Sequence, residues 1–245
     1  MFTGKVVLVT GAGSGIGRAS ARVFAERGAD VLVQDINPTG AEETAELVRE
    51  TGRRAQVSTG DVADVEAIRQ TVAECSLGAI DILVNNAGIP SDRCPIEDVS
   101  EAMFERTFAV HVKGTLFTTQ AVIPGMKARG WGKIVNLSSI QGISGFENAA
   151  TYNGAKAAVL AMAQGWAKEF APWKINVNVI APGHCMTNMP LSRDSPEELE
   201  RQSKSVPFLR FAEPREMAYT IAYLCSPEAD FITGQVVSPN GGFMI

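Results

Sequence analysis

Lys5-Val-Val-Leu-Val-Thr10, followed at once by Gly11-Ala-Gly-Ser-Gly-Ile-Gly17, reads as a strand, a glycine turn and the start of a helix. The glycines permit tight backbone geometry and let a pyrophosphate approach the main chain. Free N–H groups at the helix start then bind the anion. The spacing is Gly-x-x-x-Gly-x-Gly, not the Gly-x-Gly-x-x-Gly of longer dinucleotide domains. A glycine turn alone can be only a tight loop. The strand before it and the helix after it give this one its meaning.

The same alternation continues along the chain. Helical patterns are expected at Ile16–Arg27, from Pro38 to Gly52, and at Val65–Cys75, with strands at Val31–Gln34, Gln56–Ser58 and Ile80–Val84. One long helical region covers Ser100 to Ala128, with Pro124 near its end. Lys133–Leu137, Ile175–Ile180 and Gln235–Val237 read as further strands, and Thr151–Phe170, Pro196–Lys204 and Pro214–Cys225 as helices. Alternation of this kind builds an α/β, doubly wound Rossmann-type sandwich, here a seven-stranded parallel sheet flanked by helices. No repeat or linker interrupts it, so residues 1–245 are expected to form a single catalytic domain. Residues 183–211, rich in Pro, Ser and charge, read as a substrate loop or lid, the alternative being a surface excursion without a role.

Composition narrows the function classes. With 45% hydrophobic and 20% charged residues, the chain is ordinary for a globular protein. A net charge of −5 argues against nucleic acid or an anionic membrane as partner. Its four cysteines lack Cys-x-x-Cys spacing, so no metal site is expected. No apolar stretch is long enough to span a bilayer, and the chain opens directly into a strand. A cytoplasmic location is expected.

Chemistry is carried by three residues in order. Tyr152 and Lys156 stand four apart in Thr151-Tyr-Asn-Gly-Ala-Lys156, one helical turn, and Ser139 lies thirteen residues upstream of the tyrosine. A phenol with pKa near 10 is poorly matched to neutral pH, and a nearby ammonium favours its phenolate. Ser139 can hold a substrate oxygen within reach of that phenol. Asp35 ends the second strand, where a carboxylate accepts both ribose hydroxyls of an adenosine and repels a 2′-phosphate. Ser14 and Ile36 supply no cation beside it. Arg18 reads as a solvated helix side chain, with a phosphate contact as the alternative. The balance favours NAD.

These residues, together with Asp61-Val62, Asn85-Asn-Ala-Gly88 and Pro182-Gly183, resemble the short-chain dehydrogenase/reductase family in its compact branch, over nearly the whole chain. The resemblance implies cofactor contacts from Gly11, Ser14, Gly15, Ile16, Gly17, Asp35, Asp61, Val62, Asn86, Tyr152, Lys156, Pro182, Gly183, Cys185 and Thr187. Asp61 and Val62 would meet the adenine, Lys156 the nicotinamide ribose, and the segment from Pro182 to Thr187 the carboxamide. Catalysis would fall to Ser139, Tyr152 and Lys156, with His111 standing where the family usually has asparagine. Two readings of His111 remain level: a water-holding relay residue with its own pH dependence, or a polar filler. Substrate is expected at Ser139, Gln141 and His184, with Glu147, Asn148, Met186 and Met189 as further pocket candidates. The resemblance also implies a homotetramer, to which the apolar end Phe243-Met-Ile245 would contribute. The expected activity is NAD(H)-dependent interconversion of a secondary alcohol and its ketone. Alternatives are a 3-oxoacyl-thioester reductase, against which Asp35 argues, and a catalytically weak NAD-binding regulator.

Overall fold

Strand β1 (Val6–Thr10) is buried at every residue and is an interior strand of the sheet. The computed structural model describes residues 1–191 and 194–245, without the side chains of 189 and 190. In chain order the elements are β1, α1 (Gly15–Glu26), β2 (Asp30–Asp35), α2 (Pro38–Arg49), β3 (Ala55–Thr59), α3 (Val65–Ala73) and β4 (Ile82–Asn85). There follow α4 (Glu101–Phe108), α5 (Gly114–Arg129), β5 (Gly132–Leu137), α6 (Ile140–Ser144), α7 (Ala150–Phe170) and β6 (Ile175–Ile180). The chain ends with α8 (Asn188–Leu191), α9 (Pro196–Ser205), α10 (Pro214–Leu224) and β7 (Val236–Val237). The sheet runs β3-β2-β1-β4-β5-β6-β7, and every pairing is parallel. The expected doubly wound, seven-stranded Rossmann-type architecture is what the chain forms.

Alternate strand residues point to opposite faces, and each face has its own apolar layer. Val7, Val9, Val31, Val33 and Val84 pack with Phe24 of α1 and Ile221 of α10. Val6, Leu8, Leu32, Leu83 and Ile134 pack with Met126 of α5 and Phe170 of α7. Full burial of one such side chain is worth about 1.5–3 kcal/mol, so both layers hold the strand ends in fixed register.

Three local outcomes differ from the sequence reading. The helix expected over Ser100–Ala128 is divided by a π-helical stretch, Ala109–Lys113, which carries the buried His111. An extra residue per turn redirects the side chains that follow. Just beyond it a Cβ on Gly114 would meet Val62 at 2.9 Å, so the widened helix lies against the cofactor side of the sheet. The short helices α6 and α8 have too few residues to show a period and were not expected. Strand β4 begins at Ile82, two residues later than the apolar run, and extends to Asn85.

The sheet reverses winding direction between β1 and β4, and the crevice beyond their carboxyl ends is where ligands bind in this topology. Thr10 ties the two strand ends together. Its Oγ1 accepts the N–H groups of Asn86 and Ala87, both at 3.1 Å. The Asn86 side-chain amide donates to Thr10 O and Gly11 O, both at 2.9 Å. Thr10→Val keeps the shape but leaves two N–H groups without an acceptor. It should cost about 1–3 kcal/mol in urea unfolding, while Thr10→Ser stays close to the parent.

Candidate active site

The glycine turn is built for an anion. Gly11 and Gly15 take φ of 62° and 52°, a region that favours glycine. A Cβ on Gly11 would stand 2.7 Å from Ala87 Cα, and one on Gly17 would strike the Gly11 carbonyl. Ser14 precedes α1 without a side-chain capping bond, and no acid occupies the first helical turn. The N–H groups there keep their donors and the positive end of the helix dipole for a ligand.

Asp35 closes the far end of this turn. One carboxylate oxygen accepts Gly13 N–H at 2.7 Å and the other Asn37 N–H at 2.8 Å. A carboxylate oxygen has two acceptor sites, so each retains one for a ribose hydroxyl. Ile36 is 66% exposed beside it and offers no charge. Arg18 is not a free helix side chain: its guanidinium bonds Gly13 O, Thr44 Oγ1 and Glu43, and so braces α1 against α2. The buried Val62 and exposed Asp61 line the same end of the cavity, with Asp61 Oδ1 accepting Ala63 N–H. Asn86 also lines it, though its amide is spent on the glycine turn. These residues fit a dinucleotide.

Ser139, Tyr152, Lys156 and His111 meet at the other end of one cavity of about 690 Å³. Ser139 caps α6, its Oγ accepting Gln141 N–H at 3.2 Å, which leaves the hydroxyl proton available to the cavity. Lys156 is buried, donates to Leu137 O at 2.9 Å and lies 5.6 Å from the centre of the Tyr152 ring. Burial lowers its pKa to about 7. His111 meets Tyr152 edge-on with ring centres 5.2 Å apart. Its Nε2 sits against the backbone of Ile89, 3.3 Å from N and 3.1 Å from O, while Nδ1 is buried with no partner. Burial first, and the nearby Lys156 second, hold this imidazole well below its usual pKa. It therefore stays neutral where an ordinary histidine would begin to charge.

The substrate side is walled by Ile89, Val110, Phe146 and Phe211 and by the polar residues Ser91, Gln141 and His184. Gln141 Oε1 is buried and without a partner. The His184 ring stacks on Phe211 and meets Phe243 edge-on, at 5.4 and 4.9 Å. Phe243 thus packs inside its own chain, and only Ile245 of the expected assembly end is fully exposed. Glu147, Asn148 and Met186 do not line the cavity: all three are exposed, and Asn148 turns its backbone at φ 55° to bond Cys94 N–H instead. The Met189 side chain lies outside the described residues. Pro182, Gly183, Cys185 and Thr187 line the cavity, and Thr187 reaches across to within 3.2 Å of where a Cβ on Gly15 would be. Burial, with Glu213 and Glu216 nearby, pushes the Cys185 thiol up to about 12, so it is inert at neutral pH. Among the described residues no cluster suited to a metal occurs, and no helix is long and apolar enough to cross a membrane.

A family model described as enoyl-(acyl carrier protein) reductase matches residues 11–244. The chain belongs to the short-chain dehydrogenase/reductase family. An uncharacterized oxidoreductase of Thermotoga maritima is 40% identical over 248 residues, 98% of each chain. A 3-oxoacyl-(acyl-carrier-protein) reductase of the same organism is 37% identical, covering 99% of this chain and 98% of that protein. A cis-4-hydroxycyclohexanecarboxylate dehydrogenase of Sinomonas cyclohexanicum is 36% identical, covering 99% and 97%. Among solved structures, levodione reductase superposes with a TM-score of 0.96 at 31% identity, over 99% of this chain and 98% of that one. NAD+-bound xylitol dehydrogenase gives 0.92 at 32% identity, over 98% and 99%.

Within this short-chain dehydrogenase/reductase, Arg93, Arg106, Gln202, Phe146 and Phe211 also line the cavity and were not foreseen from sequence. They come from loops and helix faces whose packing no local motif marks. The neutral state of His111 has a consequence for stability. In the unfolded chain this imidazole takes up a proton near pH 6.5, whereas in the fold it does so only at lower pH. Protons then bind preferentially to the unfolded state, and stability falls as pH drops below about 6.5. His111→Asn should flatten that decline, as read by denaturant unfolding of parent and variant from neutral to mildly acid pH.

Proposed function

We propose that this chain is an NAD(H)-dependent oxidoreductase that interconverts a secondary alcohol and its ketone. One observation carries the reading: Ser139, Tyr152 and Lys156 share a cavity whose other end offers the Asp35 carboxylate and an uncapped helix start. A bound nicotinamide ring supplies or accepts the hydride. Tyr152 moves the proton at the substrate oxygen as general acid/base, and Ser139 donates a hydrogen bond to that same oxygen. Lys156 favours the phenolate form and holds the nicotinamide ribose. His111 offers its unpartnered Nδ1 to a water beside Lys156, in neutral form. Tyr152 and Lys156 hold the cofactor together with Gly11, Ser14, Gly15, Ile16, Gly17, Asp61, Val62, Asn86, Pro182, Gly183, Cys185 and Thr187, and Gln141 and His184 orient the substrate. Residues 1–245 act as one domain with residues 183–211 as the lid. The exposed Phe104, Phe231 and Ile245 support a homotetramer, the common assembly of the family.

The named activities of the similar proteins span a ring hydroxy acid, an acyl thioester and a polyol, so they do not select a substrate. The thioester reductase reading is second. It rests on the identity to such a reductase.

Cofactor choice follows from charge. Asp35→Ala combined with Ile36→Arg should shift preference from NAD(H) to NADP(H), each charged hydrogen bond lost or gained being worth roughly 1.5–3 kcal/mol. Equal kcat/KM with both cofactors in the parent would refute the assignment.

Tyr152→Phe keeps the ring and removes only the proton carrier. Turnover measured as NAD+ reduction at 340 nm should be abolished while NAD+ still binds in a fluorescence titration. Near-normal kcat in that variant would show that another group moves the proton.

A further inference from the structure

The charges lining the cavity are segregated. Its two carboxylates, Asp35 and Asp61, stand at the adenosine end, whereas the charged residues on the substrate side are Arg93 and Arg106, with Lys156 at the reacting centre. No carboxylate lines that side among the described residues. The two arginines differ in how far they are already committed. Arg106 grips both oxygens of Asp92, at 2.6 and 2.7 Å, which leaves its charge locally balanced. Arg93 makes one ion pair among the described residues, to Asp194 at 3.4 Å, with Gln202 Nε2 donating to the other oxygen of that acid at 3.2 Å. A charge-assisted bond at its best is about 2.7–2.9 Å, so the fork of Arg93 is only loosely held.

A second, independent observation lies two residues away. Ser91 is 7% exposed, lines the same cavity, and its Oγ has no hydrogen-bond partner. A buried hydroxyl left unpaired costs about 1–3 kcal/mol unless something satisfies it. Arg93 and Ser91 come from one loop and line the same cavity, and a guanidinium fork together with a hydroxyl donor matches the oxygens of a carboxylate. The same cavity carries the apolar residues Ile89, Pro90, Val110, Phe146 and Phe211, with Gln141 and His184 as polar members.

We infer that the alcohol is a hydroxy acid, its carboxylate held by Arg93 and Ser91 and its hydroxyl at Ser139 and Tyr152, with a hydrocarbon spacer between them. The inference rests on the dehydrogenase reading above and names its substrate class. Arg93 is then a specificity-determining residue, and its pair with Asp194 is the contact that an incoming carboxylate displaces or joins.

The test compares secondary hydroxy acids, straight-chain and cyclohexane-based, each with its methyl ester, by NAD+ reduction. The parent should prefer the acids by about 10- to 100-fold in kcat/KM, the worth of one charged hydrogen bond. Arg93→Met should collapse that acid-over-ester ratio toward one, and Arg93→Lys should restore part of it. Asp194→Asn should keep or raise the ratio, because it frees the guanidinium. An acid-over-ester ratio near one in the parent, or a ratio unchanged by Arg93→Met, would overturn the inference. So would a ratio lost in Asp194→Asn, which would make Arg93 a strap for the lid. A loss in Arg93→Met confined to coenzyme A thioesters, relative to phosphate-free thioesters, would move the anion to a carrier phosphate and also overturn it. A binding measurement keeps the two proposals apart. Calorimetry on NAD+-loaded protein should show cyclohexanecarboxylate binding more tightly than its amide in the parent and not in Arg93→Met. If no alcohol of any kind is oxidised, the dehydrogenase reading fails, while this calorimetric pair still decides for or against the anion site.

Discussion

Close approach of two main-chain segments governs this site. The end of β1 and the end of β4 lie so near each other that a single methyl on Gly11 would enter the space of Ala87. The Asn86 amide and the Thr10 hydroxyl convert that proximity into four hydrogen bonds across the switch point of the sheet. Everything downstream inherits this geometry. The start of α1 is aimed at the crevice because the turn cannot open, and Gly13 N–H fixes the Asp35 carboxylate because the turn cannot shift. Sheet and cofactor cradle are one mechanical unit, stiffened by two buried apolar layers.

A different constraint shapes the reacting end. Lys156 is tied to the end of β5 by two bonds: Ser138 Oγ donates to Lys156 O at 2.8 Å and Lys156 Nζ donates to Leu137 O at 2.9 Å. A Cβ on Gly142 would stand 2.7 Å from the carbonyl carbon of Lys156, so α6 and α7 are pressed together just where serine and lysine must converge. The π-helical stretch brings in His111 from the opposite wall. Burial then acts in the same direction on both bases, depressing the protonation of His111 and of Lys156.

The fold and the glycine turn at one end of the cavity were legible in sequence because they depend on local pattern. Strand–glycine–helix and repeated β-branched runs each carry their meaning within a dozen residues. Spacing along one helix placed Tyr152 and Lys156 on one face. The π-helix was hidden, since Ala109–Lys113 has the composition of ordinary helix and no local motif marks the wider turn that carries His111 against Tyr152. The substrate wall was least readable. Glu147 and Asn148 are close to Ser139 and Tyr152 in sequence yet face solvent, whereas Arg93 and Gln202 are far away and line the cavity. Loop direction, not residue type, decides such positions, and it is set by contacts distant in sequence.

The carboxyl end of the chain also acquires a meaning. Phe243 packs on His184 and Phe146, both walls of the cavity, and Asn240 draws the backbone of Gly242 and Met244 around its own side chain. Ile245, beyond that aromatic contact, is fully exposed. A substitution at Phe243 or Asn240 is therefore an intervention in the wall of the cavity.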